Sequence, residues 1–192
     1  MLKAPVAGNV KTRLGADIGV GRATSLFRVM TQNTIKRVDR PLWRTVLAVD
    51  PPSSLGIRTP YWPDHLARID QVKGDLGARM SAALKTAPKG LVILIGADAT
   101  GLRADHIRQA FFRLRGADLV VGPAKDGGYW LIGVSGRRTF PTLFENVRWS
   151  SEYTLGDTLK NLPSEAKVTM LEELSDIDHA EDLSAMELRS VS

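Results

Sequence analysis

Several features are missing from this sequence of 192 residues, and each absence excludes a class of site. There is no cysteine, so disulfide bridges, thiolate metal sites and cysteine nucleophiles are excluded. No serine stands in a GxSxG elbow, which argues against nucleophilic hydrolase chemistry. The histidines at positions 65, 106 and 179 form no HxxxH pair, so a histidine-bound zinc ion has little support.

Long apolar runs are missing as well. No stretch approaches the roughly 20 apolar residues that are needed to cross a bilayer. The amino-terminal sequence MLKAPVAGNVK has no apolar core of a secretory signal. We therefore predict a cytoplasmic protein without a membrane span.

The chain is basic but has few aromatic residues. Its formal net charge is +5, aromatics make up 6% of the residues, and the basic residues form no continuous run. This pattern is typical of a solvated basic surface, and a more specific interpretation is attraction of an anionic substrate such as a nucleotide sugar. Nucleic-acid binding is disfavoured, because it calls for clustered basic residues.

Apolar strands alternate with amphipathic helices along the chain. Their periodicity predicts strands over 44–49, 91–95, 118–121, 129–134 and 168–171, and helices over 19–38, 76–84, 104–114, 153–162 and 181–188. Such alternation predicts an α/β fold with a mostly parallel sheet and helices on both faces. Since no linker or repeat interrupts the pattern, residues 1–192 are expected to form a single domain.

Two acidic loops follow predicted strands. Asp98 follows the strand over 91–95, and Asp126 follows the strand over 118–121. Ligands of open α/β sheets bind beyond the carboxyl ends of the strands, and Mg²⁺ prefers carboxylate and phosphate oxygens. The loops therefore predict a site for a divalent cation and a phosphorylated ligand. Each also has an ordinary explanation, which is an Asx turn at Asp98 and a hairpin turn at the DGG segment of Asp126.

An early loop contains a glycine turn and two cations, at Gly8, Lys11 and Arg13. Backbone N–H groups and cationic side chains of this kind hold diphosphates, although the glycine spacing is not that of GxxxxGK[ST]. The alternative is a polar loop with solvated cations.

Polar side chains also precede two of the predicted helices. Gln71 has the donor and acceptor groups that suit a nucleobase edge. Asp75 belongs either to the same site or to the helix amino terminus as its N-cap. Asp178, with Glu181 three residues later, has the layout of a capping box.

In order and spacing, six segments resemble a family of small bacterial glycosyltransferases with the Rossmann-like GT-A (nucleotide-diphospho-sugar transferase) fold. They are KAPVAGNVKTRL, QVKGDLGARM, LVILIGADATGL, ADLVVGPAKDGGYWLIG, LFENVRWSS and SDIDHAEDL. That family is often associated with radical-SAM and arsenosugar gene neighbourhoods. The resemblance extends over residues 3–183.

The resemblance implies donor-binding roles for two segments. Gly8, Lys11 and Arg13 are similar to the loop that wraps the diphosphate of the donor. The positions that correspond to the part that meets the base are Gln71, Gly74 and Asp75.

It also implies a metal site and a group that faces the transferred sugar. Asp98 occupies the place of the metal-binding acid, for Mg²⁺ or Mn²⁺, and Asp178 or its neighbour Asp176 corresponds to a late position that completes it. Asp126 is the expected catalytic residue, in a segment in which Gly127 and Gly128 approach the substrate.

The chain departs from the family at its beginning. Relatives run an apolar strand directly before the KAP segment, whereas only Met1-Leu2 remains here. We expect either an amino-terminally shortened chain or exposed sheet edges that pair with another chain, for example in a homo-oligomer. Smaller departures surround the acids. Ala97-Asp98-Ala99-Thr100 stands where the family usually has a Ser-Asp-Cys-Pro-like string, and Asp178-His179-Ala180 replaces the commoner Asp-Thr-Pro.

The function implied is a metal-dependent glycosyltransferase that moves a sugar from a nucleotide-diphosphate donor to the hydroxyl of a small acceptor. One alternative is a nucleotidyltransferase acting on a nucleoside triphosphate and a phosphorylated acceptor, although such enzymes have an early loop richer in glycine. The other alternative is a non-catalytic nucleotide-binding protein.

Overall fold

The computed structural model describes residues 1–54, 61–97, 99 and 101–175. The strands in this part are β1 (Leu2–Lys3), β2 (Val46–Asp50), β3 (Ala67–Asp70), β4 (Val92–Ile95), β5 (Leu119–Pro123), β6 (Tyr129–Val134) and β7 (Val168–Met170). The α-helices are α1 (Thr12–Ile18), α2 (Val20–Val38), α3 (Leu76–Thr86), α4 (Ala104–Leu114) and α5 (Thr154–Lys160), and a short 3-10 helix spans Pro52–Ser54.

The strands form two sheets. The first has the order β1-β2-β3 and is parallel throughout. The second has the order β4-β6-β5-β7, in which β6 runs antiparallel to both of its neighbours while β5 and β7 are parallel. The sheet is thus divided, whereas the sequence predicts one mostly parallel sheet.

Helices cover both faces of the second sheet. Because side chains alternate across a strand, Val120 faces a core cluster that includes Leu114 of α4. Its neighbours Leu119 and Val121 face the opposite cluster, which includes Met80 of α3. The α/β class and the two helical layers are therefore confirmed.

The short strand at the edge of the first sheet also reaches the second sheet. Leu2 and Lys3 of β1 pair with Val49 and Asp50 at the end of β2. On the other side, the amino-terminal nitrogen of Met1 donates a hydrogen bond of 2.8 Å to the carbonyl oxygen of Ile95 in β4. The first strand is therefore present, but only as two residues.

Most of the predicted elements are present within one or two residues of their expected ends. The structure adds α1 and β3, which the periodicity does not predict. The predicted helix over 181–188 lies outside the described residues. None of the helices that the structure describes combines the length and apolar character that a bilayer-crossing segment requires.

Candidate functional site

The carboxyl ends of β1, β2 and β4 meet at one edge of the molecule. Ala97, directly after β4, belongs to a buried apolar cluster together with Leu2 and Ala4 of the first segment and Val49 of β2. The same cluster includes Ile35 of α2. This packing brings the beginning of the early loop and the segment after β4 to the same edge, where α/β sheets bind ligands.

The early loop leaves the sheet at Ala4 and turns twice before α1 begins. The N–H of Ala4 donates to the carbonyl oxygen of Asp50, and the N–H of Asn9 donates to that of Val6. Gly8 has a φ of +84° and exposes its position to open space, and Lys11 adopts the left-handed region with a φ of +46°. This leaves Gly8 on the outside of an exposed turn, where a ligand has access to the backbone.

The cations of this loop stand at the start of α1. Lys11 is the N-cap residue of that helix, and Arg13 lies in its first turn with an exposed side chain. Both have further contacts within the protein. Their diphosphate role stays a prediction, and the positive φ at Lys11 shows that the loop is held in a conformation that non-glycine residues seldom adopt.

Gln71 ties β1 to β2 with its side chain. It is 7% exposed, and its Nε2 donates to the carbonyl oxygens of Leu2 at 3.0 Å and Ala48 at 2.8 Å. Both amide hydrogens are thus used within the protein, which leaves the side-chain carbonyl as the group for a ligand. Its base-reading role stays a prediction.

Gly74 and Asp75 shape the start of α3. Gly74 has a φ of +133°, and Asp75 is the N-cap residue whose carboxylate accepts a 2.8 Å hydrogen bond from the N–H of Ala78. The N-cap interpretation of Asp75 is therefore confirmed. A contact with a base remains a prediction for both residues.

An ion pair that the sequence analysis did not select joins this turn to β2. The Arg79 guanidinium lies 3.1 Å from Asp50 Oδ2, with about a quarter of each side chain exposed, and Arg79 Nε donates to the carbonyl oxygen of Gly74. Asp50 carries the signal that selected Asp98, an acid at the carboxyl end of a buried strand. Two prolines follow it, at positions 51 and 52, and such a sequence is typical of a turn.

The DGG segment is a tight hairpin between β5 and β6. Asp126 is exposed, and its Oδ1 accepts a 2.9 Å hydrogen bond from the N–H of Gly128. Gly127 has a φ of +83°, and a Cβ there would lie 2.3 Å from the carbonyl oxygen of Glu152. The hairpin interpretation is therefore confirmed. Whether Asp126 is catalytic, and whether the glycines approach a substrate, stays a prediction.

The two predicted metal ligands, Asp98 and Asp178, lie outside the described residues, as does Asp176. Within the described part, no three His, Asp or Glu side chains gather as metal ligands would. Oxygen donors from one or two carboxylates, together with substrate phosphates, suit Mg²⁺. Ala97, which precedes Asp98 in the sequence, belongs to the same buried cluster as Ala4, the residue at which the early loop begins. The metal-binding roles of Asp98 and Asp178 stay predictions.

A buried histidine lies in the first turn of α4. His106 is 2% exposed, its Nδ1 accepts from the N–H of Arg103 at 3.3 Å, and its Nε2 lies 3.2 Å from Glu172 Oε2. Burial, reinforced by the Arg103 guanidinium, lowers the pKa of His106 below its ordinary value. The ring also lies 5.5 Å from that of Trp130, so it fills the core as much as it binds polar groups.

Comparison with known structures identifies the fold. The chain is similar to a crystal structure named "putative nucleotide-diphospho-sugar transferase" from Desulfovibrio desulfuricans G20, with 28% identity, a TM-score of 0.81, and coverage of 96% of this chain and 83% of that one. No curated protein matches in a sequence comparison. The Rossmann-like nucleotide-diphospho-sugar transferase fold is therefore confirmed.

Two more distant structures share the fold alone. One is 4-diphosphocytidyl-2C-methyl-D-erythritolsynthase from Anaerococcus prevotii DSM 20548, at 11% identity and a TM-score of 0.58 over 86% of each chain. The other is a homolog of Mycobacterium tuberculosis rv0371c from Mycobacterium sp. strain JC1, at 16% identity and a TM-score of 0.55 over 86% of this chain and 83% of that one.

One known protein family matches this chain over residues 34–151. That range includes the end of α2, the acid after β4 and the DGG hairpin. The resemblance to small bacterial GT-A proteins is thus confirmed at the level of fold, while the radical-SAM and arsenosugar association stays a prediction. With more than half of its length matched, the chain belongs to the family "Uncharacterized protein conserved in bacteria (DUF2064)".

Proposed function

We propose that this chain is a transferase that moves a sugar from a nucleotide-diphosphate donor to an acceptor hydroxyl, with Mg²⁺ or Mn²⁺ as cofactor. The observation that carries the proposal is the packing of Ala97 against Leu2 and Ala4. It brings Ala4, where the early loop begins, and Ala97, which precedes Asp98 in the sequence, to one edge of the sheet. The likeness to the Desulfovibrio structure over 96% of the chain supports the same class.

The early loop would bind the donor diphosphate. Gly8 gives the phosphates access to backbone N–H groups, and Lys11 and Arg13 would neutralise the phosphate charge by charge-assisted hydrogen bonds. Negative charge grows on the diphosphate as the bond to the anomeric carbon breaks, so the same cations would stabilise the leaving group.

The base would lie near the turn before α3. Gln71 keeps its side-chain carbonyl as an acceptor, because its donors are used by Leu2 and Ala48. An acceptor at this position suits a base with an exocyclic amino group or a ring N–H. The Arg79 and Asp50 pair would hold that turn against β2.

Asp126 would act at the other end of the donor. Its carboxylate is exposed and oriented by the N–H of Gly128. As the acceptor oxygen forms its bond to the anomeric carbon and the diphosphate oxygen leaves, Asp126 would take the proton of the acceptor hydroxyl.

Asp98 would bind a divalent cation, and Asp178 would complete its coordination. This cation would further stabilise the negative charge of the diphosphate. The two carboxylates and the phosphate oxygens form the set of donors that Mg²⁺ and Mn²⁺ accept.

The proposal is tested by donor binding and turnover. A panel of nucleoside diphosphates and their glucose conjugates is screened by thermal shift with and without Mn²⁺, and the best binder is titrated by calorimetry. Asp98→Asn should weaken Mn²⁺-dependent binding by about tenfold or more, equivalent to about 1.4 kcal/mol.

Asp105→Asn is the matched control, because Asp105 is an exposed acid on α4 that forms a surface ion pair with Arg108. Equal affinities of the two variants would overturn the metal role of Asp98. Release of pyrophosphate from a nucleoside triphosphate, in place of nucleoside diphosphate from a sugar donor, would replace sugar transfer by nucleotidyl transfer. Binding without turnover of any donor would favour the non-catalytic alternative.

A further inference from the structure

A cavity lies between α2 and the segment that precedes β3. Its volume is about 280 Å³, and it is lined by Gln32, Ile35 and Lys36 of α2 and by residues 61–64. This volume is close to the lower limit of about 300 Å³ for typical ligand sites, so the cavity has room for a small molecule. Ile35 and Trp62 belong to one buried cluster, and this face of α2 therefore packs directly against the segment.

The indole nitrogen of Trp62, in the wall of this cavity, is buried without an acceptor. Trp62 is 2% exposed, and among the described residues its Nε1 has no hydrogen-bond partner. Other indoles of the chain have one, because Trp43 Nε1 donates to the carbonyl oxygen of Val38 at 2.7 Å. Trp130 Nε1 likewise donates to that of Glu172 at 3.1 Å. Since buried indole N–H groups normally have an acceptor, Trp62 indicates a bound group that supplies one.

The hydroxyl of Thr31 on α2 is buried in the same way. Thr31 is 2% exposed, and in the part of the chain that the structure describes its Oγ1 has no partner. By contrast, the buried Thr158 Oγ1 donates to the carbonyl oxygen of Thr154 at 2.8 Å. Thr31 lies one turn before Ile35 and is therefore its neighbour on the helix surface. Its hydroxyl thus belongs to the face of α2 that meets Trp62.

A cation lies beside these two groups. The guanidinium of Arg28 is 5.2 Å from the centroid of the Tyr61 ring, which lines the cavity. Arg28 Nη2 donates to the carbonyl oxygen of Pro5 at 3.3 Å, whereas its buried Nε has no partner within the described ranges. The acid in the cavity wall, Asp64, lies 3.5 Å from Arg68 Nη2. Its charge is therefore compensated, and the site keeps the positive charge of Arg28.

The three groups without partners share one property, which is that each can donate a hydrogen bond. Indole and guanidinium N–H groups only donate, and the hydroxyl does both. A water molecule needs acceptors for its own two hydrogens, and this set offers only the hydroxyl oxygen. An oxyanion accepts from all three donors, and a single arginine with two neutral donors matches a single negative charge.

We propose that this cavity binds a small organic carboxylate. Its oxygens accept from Trp62 Nε1, Thr31 Oγ1 and Arg28 Nε. Its apolar body packs on Ile35 and Tyr61, which supply an apolar wall. The site is separate from the donor site proposed above, and the proposal does not rest on that function.

The first test measures stability without added carboxylate. Thr31→Val removes a buried hydroxyl that has no partner, so the melting temperature should stay unchanged or rise by about 2–4 °C. The matched control is Thr158→Val, which removes a buried hydrogen bond to Thr154 and should lower the melting temperature by about 2–4 °C. An equal decrease in both variants would overturn the proposal, because Thr31 would then have a partner in the free protein.

The second test measures binding by calorimetry at constant ionic strength. Benzoate is the probe, and benzamide is its control because it has a similar shape and no charge. Inorganic phosphate tests another common oxyanion. Benzoate should bind with a dissociation constant of about 1 mM or lower, and the other two compounds at least about tenfold more weakly. Absence of benzoate binding, equal binding of benzamide, or binding of phosphate alone would each contradict a carboxylate site.

Variants then locate the bound probe. Thr31→Val and Trp62→Phe should each weaken benzoate binding by about tenfold, a loss typical of one hydrogen bond to a charged group. Thr158→Val and Trp43→Phe make the same changes elsewhere and should leave the affinity unchanged. In nitrogen-15 NMR spectra, the indole N–H signal that is lost in Trp62→Phe should move when benzoate is added to the wild type, and that of Trp43 should not. Equal weakening by the control variants, or an unmoved Trp62 signal, would place the probe elsewhere and overturn the site.

Discussion

The second sheet is filled around β5 and β6, whereas the region between β2 and β4 is open. Leu119, Val120, Val121 and Leu131 are completely buried, while Val46 and Leu91 are 36% and 38% exposed. Both regions have the composition of central strands. The difference lies in neighbours, because β5 and β6 have partner strands and helices on both faces, and β4 has a paired strand on one edge only among the described residues.

The largest expected effect is the difference in stability loss between alanine substitutions of two isoleucines in the paired strands β4 and β6. Ile132 of β6 is 1% exposed, and Ile93 of β4 is half-buried beside a cavity of about 590 Å³ between β2 and β4. Ile132→Ala should cost about 3–4 kcal/mol of unfolding free energy, because it leaves a cavity in a closed core, and Ile93→Ala should cost about 1 kcal/mol. Urea unfolding of both variants measures the difference. If the two losses of unfolding free energy agree within about 0.5 kcal/mol, the range within which independent substitutions usually add, the surroundings of Ile93 are as well packed as the core.

A smaller effect is expected from two amides that each donate to a pair of carbonyl oxygens. Gln71 donates to Leu2 of β1 and Ala48 of β2, and Asn161, at the end of α5, donates to Leu143 and Glu145. Gln71→Ala should cost about 2 kcal/mol, since both of its hydrogen bonds are buried, whereas Asn161→Ala should cost about 1 kcal/mol, because its bond to Glu145 is exposed to water. Thermal unfolding of both variants measures the two losses. A larger loss of stability for Asn161→Ala than for Gln71→Ala would show that the hydrogen bonds of Gln71 to β1 and β2 contribute less than expected.

The smallest expected effect is a pH dependence of the unfolding free energy that arises from His106 of α4. The folded-state pKa of His106 is lowered, so the unfolded chain takes up the proton first and stability falls as the pH drops below the ordinary histidine value of about 6.5. The urea midpoint of the wild type should be lower at pH 5.5 than at pH 7.5, and this difference should be smaller in His106→Gln. An unchanged difference in the variant would assign the dependence to other groups.

An apolar periodicity or an unbroken apolar run predicted most of the elements. Ala23, Phe27 and Thr34 of α2 repeat at helical spacing and are buried, and the apolar run before Gly96 forms β4. The strand β3 escaped prediction because its sequence, ARID, is half-exposed and lacks a regular pattern. The helix α1 escaped because Gly15 lies in its middle, where a helix is intrinsically disfavoured.

The candidate site was predictable only in its outline. An acid at a strand end and a cationic glycine loop are local signals, and they pointed to one edge of the sheet. The bonds of Gln71 to Leu2, and the ion pair between Arg79 and Asp50, join residues 69 and 29 positions apart. No local pattern specifies such partners, because they depend on how the strands register.

The early loop begins directly after the two residues of β1. A change that loosens the pairing of Leu2 with Val49 would also free the loop that begins at Ala4. By thermodynamic reciprocity, a ligand that orders this loop would strengthen that pairing by the same free energy. The stability of the short strand and the affinity of the loop for an anion are therefore expected to change together.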